Sequence, residues 1–124
     1  MSTVEQLLFF CKYCDTDVIS KNINLSPVIR HAIEIIDRDY DKDLSVKSIA
    51  KLLYVSPSTL SHKFSKELNI SVYRYITEKR LSVVRQYIEK GERAYVAAEK
   101  SGFSDYSAFF RLYKKRYGKN PTSR

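Results

Sequence analysis

Gly102-Phe103-Ser104-Asp105-Tyr106-Ser107-Ala108-Phe109-Phe110-Arg111-Leu112-Tyr113-Lys114-Lys115-Arg116-Tyr117-Gly118 reads as a turn feeding a helix capped at Ser104, with aromatic side chains behind and cations in front. The same plan occurs upstream in Ala50-Lys51-Leu52-Leu53-Tyr54-Val55-Ser56-Pro57-Ser58-Thr59-Leu60-Ser61-His62-Lys63-Phe64. Ala50, Val55 and Ser56 correspond to Ala98, Phe103 and Ser104 at an offset of 48, and Leu60 and Phe64 to Phe109 and Tyr113 at an offset of 49. One residue is therefore inserted at the start of the second copy's last helix. A helix, a tight turn, a cap and a second helix, present twice in a small basic chain, point to duplex DNA.

Working outward, 124 residues hold one domain with a modest core, and 44% apolar with 29% charged residues is ordinary globular composition. The net charge of +8 favours a polyanionic partner. Its distribution is uneven: from Leu44 onward there are 17 bases against six acids, whereas 1–43 carries an acidic excess. The positive field belongs to the paired motifs. The apolar run Leu7-Leu8-Phe9-Phe10-Cys11 is too short to span a membrane and lacks the flanks of a signal peptide, so the protein is expected in the cytoplasm. Cys11 and Cys14 are spaced as half a zinc site or a redox pair, but no second ligand pair accompanies them. Two reduced thiols are the favoured reading, with no metal and no cofactor.

The periodicity predicts helices throughout and no strand, giving an all-α fold of about seven helices. Residues 3–15 read as an amphipathic helix and the polar stretch to residue 25 as a linker. Ser26-Pro27 opens a core-facing helix to about Tyr40, whose acids Asp37 and Asp39, with Asp41 and Asp43 beyond, face away from DNA. The first helix-turn-helix is expected over 45–68, with Ser45 and Ser56 as caps. A long linker helix follows over 71–90, opened by Ser71 and stopped by Gly91, and the second helix-turn-helix occupies 94–117. At about 1.5 Å per residue the linker makes a strut of about 28–30 Å. Successive major-groove faces recur about every 34 Å, so a monomer can reach two of them.

In the first unit Ser58, Ser61 and His62 are the candidate base readers, with Lys63 and Lys66 on phosphate. In the second, Arg111 can pair bidentately with guanine, Ser107 makes adaptable hydrogen bonds, and Tyr106 and Phe110 meet thymine methyls or sugar edges. Lys114, Lys115, Arg116 and Lys119 lie later in the helix or beyond it and suit phosphate. The short readers of the first unit predict the weaker discrimination.

Over about residues 27–123 the chain resembles the C-terminal DNA-binding domain of the AraC/XylS family of bacterial transcription regulators. The resemblance rests on Gly102, Phe103, Phe109, Lys114, Gly118 and Pro121 at the spacing of the family signature, and on Arg80-Leu81 in the strut. It implies seven helices, two helix-turn-helix units joined by the long helix, and an activator that touches RNA polymerase. It also places base contact on the seven readers named above. Tyr113 stands where the family pattern usually has Phe. Residues 1–25 are expected to be the tail of an upstream domain rather than the start of a stand-alone regulator, and any dimerisation is left to such a domain.

An enzyme is not expected, because the two histidines lie apart and no catalytic acid pair or phosphate-cradling loop is present. A membrane-surface role is not expected either, because the apolar helix faces are committed to a core. The alternative kept open is a protein-interaction module of the same fold, an anti-activator with little DNA binding.

Overall fold

Proline at position 27 fixes a helical φ where no intrahelical donor is lost, and the first helix, α1 (Pro27–Asp39), begins there. A computed structural model of the protein describes residues 25–122. Five more helices follow: α2 (Val46–Leu52), α3 (Pro57–Leu68), α4 (Val72–Glu89), α5 (Ala94–Lys100) and α6 (Tyr106–Tyr117). No strand occurs among the described residues, and six helices stand close to the seven expected. The expected helix over 3–15, with Cys11 and Cys14, lies outside the described residues.

The helix starts are built by short polar side chains. Ser45 and Ser48 form a reciprocal capping box: the Ser45 N–H donates to the Ser48 hydroxyl at 3.0 Å and the Ser48 N–H to the Ser45 hydroxyl at 3.1 Å. Ser56 accepts from the Thr59 N–H at 3.0 Å, and Ser71 accepts from the Arg74 N–H at 3.0 Å. Ser26 occupies the N-cap of α1 but makes no side-chain cap bond. Its N–H and hydroxyl instead donate to the two carboxylate oxygens of Glu67, each at 2.8 Å. The cap expected at Ser104 is corrected: Asp105 is the N-cap of α6, and its carboxylate accepts from the Ala108 N–H at 3.2 Å. Ser104 is the extra residue between turn and helix, so the helix begins one position later than the serine suggests.

The chain divides into two compact units, with the boundary between Lys79 and Arg80 inside α4. In the first unit Ile29, Ile33 and Ile36 of α1 line one helical face at spacings of three and four. They pack with Ile49, Ala50, Leu60, Phe64, Leu68, Val72, Tyr75 and Ile76. Phe64 meets Tyr75 edge-on at 5.6 Å. Lys79 pairs with Asp37 at 3.8 Å and lies over the Tyr40 ring. In the second unit Leu81 and Val84 pack with Ala97, Ala98, Phe109 and Tyr113, and Phe103 lies half-buried against Phe109 at 5.1 Å. Against the small alanines of α5, the rings of α6 supply the largest side chains of this core.

Candidate nucleic-acid interface

Each helix-turn-helix is made rigid by the same set of backbone bonds. After α2 the Tyr54 N–H donates to Lys51 O at 3.3 Å and the Val55 N–H to Ala50 O at 3.1 Å. After α5 the Gly102 N–H donates to Glu99 O at 3.2 Å and the Phe103 N–H to Ala98 O at 3.0 Å. This pairing closes a helix C-terminus with one residue in the left-handed region, normally a glycine. Gly102 takes that place in the second unit (φ 100°), but Tyr54 takes it in the first (φ 59°), with its side chain 96% exposed.

The two helices that leave these turns match in length, at both caps and at two core anchors. Both are 12 residues long. The N-caps Ser56 and Asp105, the buried anchors Leu60 with Phe109 and Phe64 with Tyr113, and the left-handed C-caps Asn69 and Gly118 all stand 49 residues apart. Both C-caps close with the same bond at 2.8 Å, Asn69 N–H to Ser65 O and Gly118 N–H to Lys114 O.

Anchoring one face leaves the other outward. On α3, Ser58, Thr59, His62, Lys63, Lys66 and Glu67 line one shallow depression, with Ser58, His62, Lys63 and Lys66 exposed. Ser61 is half-buried. On α6, Ser107, Arg111, Lys114 and Lys115 are exposed, and so is Lys119 just past the helix. Tyr106 and Phe110 are half-buried. Tyr106 is engaged with other rings, lying 5.5 Å from Tyr95, 5.5 Å from Phe109 and 6.3 Å from Phe110. Arg116 is half-buried and its guanidinium lies 5.3 Å from the Tyr117 ring, which Arg85 covers at 4.8 Å while pairing with Glu89 at 3.3 Å.

Among the described residues no ion pair engages Lys63, Lys66, Arg111, Lys114, Lys115 or Lys119. Asp39 lies between Arg38 and Lys42, and its carboxyl is held below the usual range chiefly by the hydrogen bond from Arg38. Glu92 is likewise held down, first by the hydrogen bond from Lys100 at 3.1 Å. The helix-turn-helix faces thus present cations that no ion pair among the described residues engages, the electrostatic footprint of a phosphate-binding surface. Among the described residues no three His, Cys, Asp or Glu side chains could hold a metal ion, and no helix is long and apolar enough to cross a membrane.

Thr59 faces outward in the α3 depression, as the spacing of Leu60, Phe64 and Leu68 predicts, and accepts from the Ser56 hydroxyl at 2.7 Å. Glu67, which carries the contact to Ser26, has no signal in the local pattern.

A family model described as a helix-turn-helix domain matches residues 49–123, which span α3 to α6 and most of α2. The chain belongs to the AraC-type helix-turn-helix family. Among AraC-type relatives, the Msm operon regulatory protein of Streptococcus mutans is 31% identical over 102 residues, covering 82% of this chain and 37% of that protein. The arabinose operon regulatory protein of Escherichia coli is 30% identical over 96 residues, covering 76% of this chain and 33% of that protein. The chain thus spans about a third of the length of either relative. The solved C-terminal domain of AraT, a response regulator from Geobacillus stearothermophilus, shares the AraC-type fold. Its TM-score is 0.76 at 30% identity, over 79% of this chain and 83% of that one. The family is one of bacterial DNA-binding transcription regulators.

Proposed function

We infer that this chain is a sequence-specific reader of duplex DNA and a transcription activator, inserting α3 and α6 into adjacent major-groove faces. The observation that carries the reading is the repeated exposed stripe of serine, basic or imidazole side chain, and lysine, on helices whose opposite faces are buried. Ser58, Ser61, His62, Tyr106, Ser107, Phe110 and Arg111 contact bases or their immediate surroundings. Lys63, Lys66, Lys114, Lys115, Arg116 and Lys119 contact phosphate. α4 runs for 18 residues without a break, about 27 Å of helix. Residues 26–124 work as one DNA-binding domain, acting in the cytoplasm as a monomer. Contact with RNA polymerase and the activating role follow from the family resemblance.

The test is a salt titration of binding to a selected duplex and to an unselected one, with Arg111→Glu alongside wild type. A DNA reader binds the selected duplex far more tightly, shows a steep salt slope on both, and loses the preference in Arg111→Glu. An anti-activator or other interaction module of the same fold shows little DNA binding and is indifferent to the charge reversal.

A further inference from the structure

Adding 49 to a residue number carries α3 onto α6 at the N-cap, at two core anchors and at the left-handed C-cap, although the buried Leu68 corresponds to the half-buried Tyr117 and the exposed Lys63 to the half-buried Leu112. Each helix is therefore rotated about its own axis to the same degree relative to the core that holds it, and the outward positions must correspond as well. Ser58 corresponds to Ser107, His62 to Arg111 and Lys66 to Lys115, and all six are exposed. These positions lie four residues apart, one above another on a single helical face.

The chemistry of the middle position differs in strength and not in kind. Arginine offers guanine O6 and N7 two parallel donors, whereas an imidazole offers a single N–H toward either atom. We propose that His62 is the register counterpart of Arg111, so that the two units read a guanine at the same place in two related half-elements, firmly in the second unit and weakly in the first. This rests on the DNA-reading function inferred above. The neighbouring pair, Ser61 and Phe110, is unlike in size and polarity, which makes the half-elements related and not identical.

The experiment is selection of preferred sequences from a random duplex pool by wild type, His62→Arg and Arg111→His. Both positions are exposed, so the substitutions leave the cores intact. Wild type is expected to enrich two clusters that share a guanine in the matching place, with the bias stronger in one. His62→Arg raises the guanine preference of the weaker cluster by about 10-fold, and Arg111→His lowers that of the stronger by about 10-fold, the scale of one bidentate contact. Two clusters with no shared base, or a His62→Arg pool identical to wild type, overturn the correspondence and leave sequence-specific reading standing. A wild-type pool with no enrichment overturns that reading itself, and the correspondence with it.

Discussion

Ser26 donates its backbone N–H to one carboxylate oxygen of Glu67 and its hydroxyl to the other, both at 2.8 Å across 41 residues of sequence. The pair joins the first turn of α1 to the last turn of α3, and it sets a negative charge by a helix N-terminus, where the helix dipole favours it. Hydrogen bonds to a charged acceptor in a partly buried setting contribute about 1.5–3 kcal/mol. Glu67→Ala is expected to destabilise the protein by about 1–3 kcal/mol in urea unfolding. A double-mutant cycle with Ser26→Ala that gives additive losses shows that the two residues act independently.

Tyr54 holds a left-handed backbone that costs a residue with a Cβ about 1–2 kcal/mol, and its exposed side chain recovers little by packing. Tyr54→Gly relieves that strain against a glycine entropy cost of about 0.5–1 kcal/mol, so it is expected to stabilise by about 0.5–1 kcal/mol. Gly102→Ala runs the other way, with a loss of about 1–2 kcal/mol. Urea midpoints of the two variants check both signs, and a Tyr54→Gly midpoint below wild type refutes the strain argument.

Arg111→Ala is expected to cost about 1–3 kcal/mol on the preferred duplex and to relax choice at one base pair. Lys115→Ala weakens preferred and unselected duplexes alike and lowers the salt slope by about one. Binding isotherms at several salt concentrations separate the two behaviours. Equal losses on both duplexes for Arg111→Ala remove it from the base readers.

Tyr113 is only 3% exposed, and burial raises its phenol above the usual tyrosine value, ahead of the opposing influence of Arg85. The folded state therefore keeps this proton at a pH where the unfolded chain, near the ordinary value of about 10, has released it. The contribution to stability is complete below about pH 10 and is lost as pH rises through the folded value. Tyr113→Phe retains the ring contacts with Phe109 at 5.7 Å and Tyr117 at 4.7 Å. It is expected to flatten the alkaline fall in stability relative to wild type. Unfolding followed from pH 8 to about 11 measures the difference, and parallel curves for the two proteins deny Tyr113 the role.

Much of the fold is legible in the sequence because its signals are local. Ser45, Ser56, Ser71 and Gly91 end or begin helices where the pattern of small polar and apolar residues says they should. The cap of α6 falls one position beyond the serine that the sequence favours, because Ser104 and Asp105 are both good caps and only the three-dimensional match of the two helices shows which residue is extra. Glu67 was illegible for a different reason. It sits among lysines on a polar face, and nothing local tells which polar residue meets another helix far along the chain. The half-burial of Tyr106 was equally hidden, since an aromatic at the start of a basic helix can face a groove or its own core. The offset of 49 was visible at the core anchors, yet its extension to the outward residues needs the matched caps at both ends.

The single extra residue at Ser104 has a consequence for how the duplicated halves can trade parts. The turns align in one frame and the following helices in another, so a transplant that includes both a turn and its helix carries a one-residue mismatch into the recipient. A transplant confined to the interval between N-cap and C-cap carries none. The 12-residue helix is therefore the natural unit of exchange, a cassette bounded by its own start and stop signals. Its anchors travel with it, so a swap changes the side chains each core must accommodate, whereas rewriting the outer residues alone leaves that core as it is.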